Sequence, residues 1–460
     1  MGLRMKDLTK GSVAGHVLQL AAFIAMSTTF QTLYFVADLY FVGRLGKQAL
    51  AGVGLAGNVS FLVLALTQSL SVGATSLIAQ AIGRKDTRVA ELLFNQAFVL
   101  SNLSGLVFGC VFFALRRLYC QWLAADAGTG ALGIEYLDWF VPALFLQFAL
   151  VAMGAALRGL GDLKVPTLIQ VGTVLLNIAL APTLMFGWVT GRPLGVTGAA
   201  LASFLAIGAG CLAYAAYFGR VGSPLRFRTA QWVPEPRLWG EMLRVGLPAG
   251  GEFALMSVYM VLVYDIIRPF GAAAQAGFGI GIRLVQSLFL PTVAIAFATA
   301  PVAGQNFGAR QGARVRESFY SAAGMSGVLM LALTLLCRVA SEPMVRFFNS
   351  DPAVVSFGSE YLRIISWNFL ASGIVFVSSS IFQAMGNTLP ALASSSLRLL
   401  LFALPAYALS RQSSFQMRQI WYLSVASVTV QLCVNLWLLH REFSKKLAPM
   451  AMGEPAAAET

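Results

Sequence analysis

The sequence predicts an all-α polytopic membrane protein, with 12 transmembrane helices in two six-helix lobes related by a pseudo-two-fold axis along the membrane normal. Three observations carry that prediction: a composition too poor in charge to coat a water-facing surface, twelve successive apolar stretches, and an internal repeat at 225 residues. Of the 460 residues, 58% are hydrophobic and 11% charged, and the mean hydropathy is +0.74. A soluble chain carries about 25% charged residues, so disorder, collagen, a coiled coil and a disulfide scaffold are excluded together. The five cysteines (Cys110, Cys120, Cys211, Cys337, Cys433) are scattered and have no zinc or CxxC spacing, so they read as small apolar residues and no metal is expected. The net charge of +13 is spread over many short loops. It forms no stripe that could follow a phosphate backbone, so nucleic acid is not an expected partner.

The spans fall at 13–40, 49–78, 92–115, 134–157, 165–187, 195–218, 243–268, 274–302, 318–340, 359–383, 389–410 and 419–440. Each is long enough for the roughly 20 residues a bilayer crossing needs, and the longer ones leave room for tilt or bending. The first run follows basic residues but continues to Val42 with no small-residue cleavage site, so it reads as a helix and not a removed signal peptide. Of the 32 lysines and arginines, 19 lie in the N-terminal segment, the even-to-odd loops and the C-terminal tail, and 10 in the opposite loops. That bias predicts a multi-pass protein of the cell inner (plasma) membrane with both termini cytoplasmic. The longest polar joint, Arg220 to Trp239, follows the sixth span. The expected organisation is therefore an N-terminal lobe 1–219, a cytoplasmic inter-lobe linker 220–240, a C-terminal lobe 241–440 and a disordered tail 441–460.

The repeat is read from matches at one offset. Gly46, Gly52 and Gly54 meet Gly271, Gly277 and Gly279; Gln80 and Gly83 meet Gln305 and Gly308; Glu135-Tyr136-Leu137 meets Glu360-Tyr361-Leu362; and Gly161 meets Gly386. Six crossings return the chain to its starting side, so both halves insert with the same orientation. Such an arrangement suits a transporter that rocks one half against the other.

If the repeat supplies scaffold, chemistry belongs where it is broken. Asp38 pairs with Val263, Asn177 with Phe402, and Glu252 with Ser27. An ionisable residue at a helix centre in the bilayer costs at least ~2.5–3.5 kcal/mol, so it persists where it faces a cavity and does work. Ser27, Gln31, Tyr34 and Asp38 follow at i, i+4, i+7 and i+11, one polar stripe on the first helix. Such a stripe points at water or forms interhelical hydrogen-bond glue. A neutral amide would serve as glue at lower cost, so the carboxylate reads as functional. For Gln31, Asn177 and Glu252 both readings stay open. Asp265 stands three residues before Arg268, a spacing that permits an ion pair. Arg398, deep in the eleventh span, suits a structural partnership or a substrate contact. Gly52-x-Gly54-x-x-Gly57 has no preceding strand, so it reads as close helix packing and not as a dinucleotide site. With no phosphate loop, zinc-protease motif or serine elbow, no enzyme chemistry is expected and no ATPase subunit is evident.

These residues resemble the multidrug and toxic compound extrusion (MATE) family. The matching text is DLYFVGRLGKQALAGVGLA at 38–56, ALRGLGDLKVPTL at 156–168, GVTGAALAS at 195–203 and ATAPVAGQNFGAR at 298–310. The resemblance runs over 13–440. It implies two six-helix lobes and an antiporter exporting organic, often cationic, compounds in exchange for protons or sodium. By position, Asp38 resembles the family's first-helix coupling carboxylate, Asn177 its fifth-helix Asn, and Ser203 a common sixth-helix Thr. Gln31, Tyr34, Ser27 and Glu252 are then candidates for the substrate cavity, with Asp265 and Arg398 as structural or cavity charges. Many relatives carry a second Asp or Asn four residues after that Asn; here it is Ala181. Sodium prefers several oxygens at once, so H+ is favoured over Na+ as coupling ion, and no other cofactor is expected. The expected partners are a small-molecule organic substrate and the lipid bilayer. The rival readings are a lipid-linked precursor flippase of the wider superfamily, a membrane-embedded enzyme, which would need clustered catalytic groups, and a non-transport membrane scaffold.

Overall fold

A computed structural model describes residues 7–124, 126–188, 191–219, 225–412 and 415–451. Among them there are thirteen α-helices and no strand: α1 (Val13–Gly43), α2 (Lys47–Gly83), α3 (Thr87–Leu123), α4 (Ala127–Gly159), α5 (Lys164–Met185), α6 (Gly195–Gly219), α7 (Pro236–Ile267), α8 (Ala272–Gly308), α9 (Gly312–Arg346), α10 (Pro352–Ile365), α11 (Asn368–Ala384), α12 (Leu389–Ser410) and α13 (Met417–Ala451). Eleven helices or helix runs are long and apolar enough to cross a membrane, and twelve crossings result if α10 and α11 count as one broken span.

That broken span departs from the continuous helix expected at 359–383: α10 and α11 meet at 56°. The reason lies at Ser366. Its hydroxyl bonds back to the Arg363 carbonyl at 3.1 Å, and its own carbonyl accepts from the Thr334 hydroxyl at 2.9 Å. That carbonyl is shared with the Phe369 amide at 3.1 Å, and the Trp367 amide donates to the Ile364 carbonyl at 3.2 Å. The four-residue ladder thus gives way to three-residue spacing at the bend. The expected disordered tail is corrected as well. Residues 441–451 continue α13, and the remainder of 441–460 lies outside the described residues.

The chain divides into two compact units. One holds Phe23–Leu247 and the other holds Leu8–Ala22 with the chain from Pro248 on. The division therefore lies inside α1 and inside α7, not in the expected linker 220–240. Residues 220–224 of that linker lie outside the described residues, and 225–235 pack in the N-terminal unit. There Asn95 donates to the Arg226 carbonyl at 2.9 Å, and Gln96 donates to the carbonyls of Gln231 and Val233 at 2.7 Å. The start of α7 is held to α2 by mutual close approach. A Cβ on Gly73 would strike the Met242 backbone, and one on Gly246 would strike that of Ser69. In the C-terminal unit, Leu8 is clamped by its amide donating to Gln305 Oε1 at 3.2 Å and its carbonyl accepting from Asn306 at 3.2 Å.

The repeat governs packing in both units. A Cβ on Gly52 would lie 3.0 Å from the Thr129 carbonyl and the Gly133 amide, and one on Gly277 would lie 2.8 Å and 2.9 Å from Val354 O and Gly358 N. These neighbours are themselves 225 residues apart, so the same helix crossing is built twice. In the N-terminal unit one apolar core joins α2, α4, α5 and α6 through Val59, Leu137, Phe140, Ala181 and Ala200. In the C-terminal unit Phe278, Tyr361, Phe402 and Trp421 fill the corresponding place.

Candidate functional site

Within the N-terminal unit, α1 presents its polar stripe as its covered side. Ser27, Gln31, Tyr34 and Asp38 are half-buried, whereas Leu33, Phe35, Val36, Leu39 and Tyr40 are exposed. The helix period sorts the two sets, because residues four, seven and eleven apart share a face. Exposed apolar side chains suit a lipid-facing surface, and the polar stripe turns toward α4, α5 and α6.

Three of the expected residues meet directly. Ser203 on α6 accepts a hydrogen bond from Asn177 Nδ2 at 3.2 Å, and its hydroxyl lies 3.2 Å from that of Tyr34. Both Asn177 and Ser203 are buried. One turn further along α1, Asp38 lies in electrostatic range of Tyr34 and of Tyr136 on α4. No hydrogen bond or ion pair among the described residues engages its carboxylate. Gln31 accepts from Gln170 Nε2 on α5 at 2.7 Å, and Ser27 makes no hydrogen bond among the described residues. The result is a buried amide–hydroxyl–phenol chain beside a carboxylate with no fixed counter-charge. Such a carboxylate can gain or lose a proton without breaking an ion pair.

Sequence reasoning missed Tyr136 and Gln170. Tyr136 was visible as half of the Tyr136/Tyr361 repeat match but read as scaffold. Gln170, Thr173 and Asn177 stand at i, i+3 and i+7 on α5, a polar stripe like that of α1. Ala181 is fully buried in the apolar core, so that position brings no oxygen to the site. Among the described residues no group of three His, Cys, Asp or Glu side chains could hold a metal ion.

The other expected residues belong to the C-terminal unit. Glu252 on α7 accepts from the Ser379 hydroxyl at 3.4 Å through Oε2, while its Oε1 is buried without a partner. Asp265 is exposed and makes no ion pair with Arg268 among the described residues. The helical spacing behind that expectation is lost because α7 ends at Ile267 and Arg268 opens a 3₁₀ turn, Arg268–Phe270. Arg398 stands in mid-α12 with its guanidinium 5.1 Å from the Tyr259 ring centroid.

The MatE family model matches residues 24–183 and 248–408. Among curated proteins, the chain is 26% identical over 395 residues to the probable multidrug resistance protein YpnP of Bacillus subtilis, covering 85% of this chain and 86% of that one. It is 28% identical over 378 residues to the probable multidrug resistance protein NorM of Thermotoga maritima, covering 82% and 81%. Among solved structures, a MOP superfamily transporter from Pyrococcus furiosus superposes with a TM-score of 0.88 at 23% identity, covering 98% of this chain and 99% of that one. At that identity the likeness is one of fold.

Proposed function

The chain belongs to the MatE family, whose model covers most of both halves, and on that premise we propose that it is a proton-coupled antiporter. It exports organic, often cationic, compounds across the inner membrane by alternating access, with both termini in the cytoplasm. The names of its relatives in Bacillus subtilis and Thermotoga maritima support the multidrug reading. The observation that carries the coupling assignment is the Asp38 carboxylate, seated beside Tyr34 and Tyr136 with no counter-charge.

In this reading, deprotonated Asp38 favours the arrangement that accepts substrate from the cytoplasm. Exposure to the more acidic outer side protonates it. Loss of the negative charge changes the balance with the adjacent Tyr34–Ser203–Asn177 chain and favours release. Asn177 and Ser203 are positioning residues for Tyr34, and Gln31 and Ser27 line the same face. Glu252 is a second acid for substrate cations, held within the C-terminal unit beside Ser379. Protons are favoured over sodium because Ala181 supplies no oxygen.

The test is dye export in inside-out vesicles. Asp38→Asn should abolish proton-driven export while the protein still inserts and binds dye. Wild-type rates in that variant would defeat the assignment. A sodium gradient substituted at fixed voltage should drive no export, and sodium-driven export would overturn the choice of ion.

A further inference from the structure

The repeat sets the same pair of tyrosines in each unit. Tyr34 and Tyr136 correspond at offset 225 to Tyr259 and Tyr361. In the N-terminal unit the charge beside that pair is the carboxylate of Asp38. Its counterpart Val263 is fully buried and carries none. In the C-terminal unit the charge beside the pair has the opposite sign. It comes from Arg398 on α12, whose own counterpart is Thr173. The Arg398 guanidinium lies 5.1 Å from the Tyr259 ring centroid and in electrostatic range of Tyr361.

Stacking on a ring accounts for the face of the guanidinium and leaves its edge donors unused. Arg398 Nε is buried and has no hydrogen-bond partner, and no acidic side chain among the described residues pairs with it. Two residues that pack with the same tyrosine pair are similarly incomplete. Asn368, buried on α11, donates to Ser424 Oγ at 3.3 Å, yet its Oδ1 has no partner. Trp421, packed 4.8 Å from Tyr361, leaves its indole Nε1 without an acceptor. Ser424 ties the group together, its hydroxyl lying 3.1 Å from that of Tyr259. Buried polar groups are rarely left unmet in this number about one pair of side chains.

We propose that the C-terminal unit holds an anion-accepting site in which Arg398 receives the carboxylate or phosphate group of an amphipathic organic compound. The free Nε–H and its neighbouring terminal N–H are the two donors that grip an oxyanion side-on. The half-buried ring of Tyr259, already beneath the guanidinium, is the aromatic surface offered to the apolar body. Depth favours an organic solute over a lipid headgroup. Arg398 is nine residues beyond Leu389 in a 22-residue helix, about 13 Å from the nearer helix end, well below the level of headgroups. The site goes beyond the export reading and is measured as binding, so it stands or falls apart from Asp38.

The experiment uses the full chain in phosphatidylcholine nanodiscs and two probes that share a xanthene ring system: fluorescein, which carries a carboxylate, and a rhodamine ethyl ester, which is cationic. Arg398→Gln should weaken fluorescein binding about tenfold or more while rhodamine ester binding stays within about twofold. Arg398→Lys keeps the charge without the fork and should recover only part of the loss. It also serves as the test should the glutamine variant fail to fold. Unchanged fluorescein affinity in a folded variant, or equal loss of both probes, overturns the proposal. So does loss of wild-type fluorescein binding when phosphatidylglycerol replaces the neutral lipid, which would assign the site to lipid headgroups.

Discussion

On the proposed coupling, Asp38 is the group that changes charge, and Ser203 is the group that holds its surroundings still. Ser203 accepts from Asn177 and meets the Tyr34 hydroxyl, so replacing it strips two polar groups of one partner. Ser203→Ala should lower stability by about 1–2 kcal/mol, read as thermal unfolding in detergent. A double-mutant cycle with Asn177→Ala should give a coupling energy clearly above zero. Additive losses would mean that the contact contributes nothing. Asp38 was legible in the sequence because a carboxylate in an apolar helix is anomalous by itself. Tyr136 was not, because a tyrosine in a helix is ordinary until something charged is found beside it. Arg398 was legible as a buried charge, but only the folded C-terminal unit gives it Tyr259 and Tyr361 as neighbours.

At the level of single helices, ends and crossings are set by short-range chemistry. Asp126 caps α4: its carboxylate accepts from the Thr129 amide at 2.9 Å and from the Thr129 hydroxyl at 2.8 Å. The backbone hydrogen bond from Thr129, aided by the hydroxyl, holds this carboxyl below the usual carboxylate range. A group whose pKa is depressed by folding stabilises fully above its unfolded pKa, and that contribution fades as pH falls through the folded value. Asp126→Ala should therefore lower the unfolding temperature at neutral pH, with the difference from wild type closing in strong acid. A gap that persists or widens in acid would show that the cap acts through something other than its charge. The same first turn of α4 receives Gly52, whose missing side chain lets α2 approach to backbone contact. Glycines in the apolar runs signalled such approaches, but which helix approached was not written in them. The break between α10 and α11 was hidden for a similar reason. Ser366 is helix-compatible until Thr334, 32 residues earlier, shares its carbonyl with the Phe369 amide.

Across the whole molecule, the first helix of each half is shared between the two units. α1 changes unit between Ala22 and Phe23, and α7 between Leu247 and Pro248. Pro248 lies within α7, where it removes one backbone hydrogen bond and crowds the carbonyl four residues before it. The change of unit thus coincides with the point at which α7 bends most readily. Pro248→Ala restores the missing donor and should slow dye export several-fold with stability unchanged or raised. Stopped-flow export beside thermal unfolding separates the two effects. Wild-type export in a folded Pro248→Ala protein would remove this proline from the transport cycle.

The sequence alone determined the solvent this chain folds in, the number of its crossings and its duplication, because hydropathy and an offset of 225 residues are properties of order along the chain. It also singled out the charges that a bilayer would not tolerate without purpose. The tertiary structure decided which polar groups meet: Tyr34 with Ser203 and Asn177, and Arg398 with Tyr259. It also decided where the units divide, inside two helices and not in the polar joint. These facts depend on side chains brought together across scores of residues, and no local pattern encodes a distance of that kind.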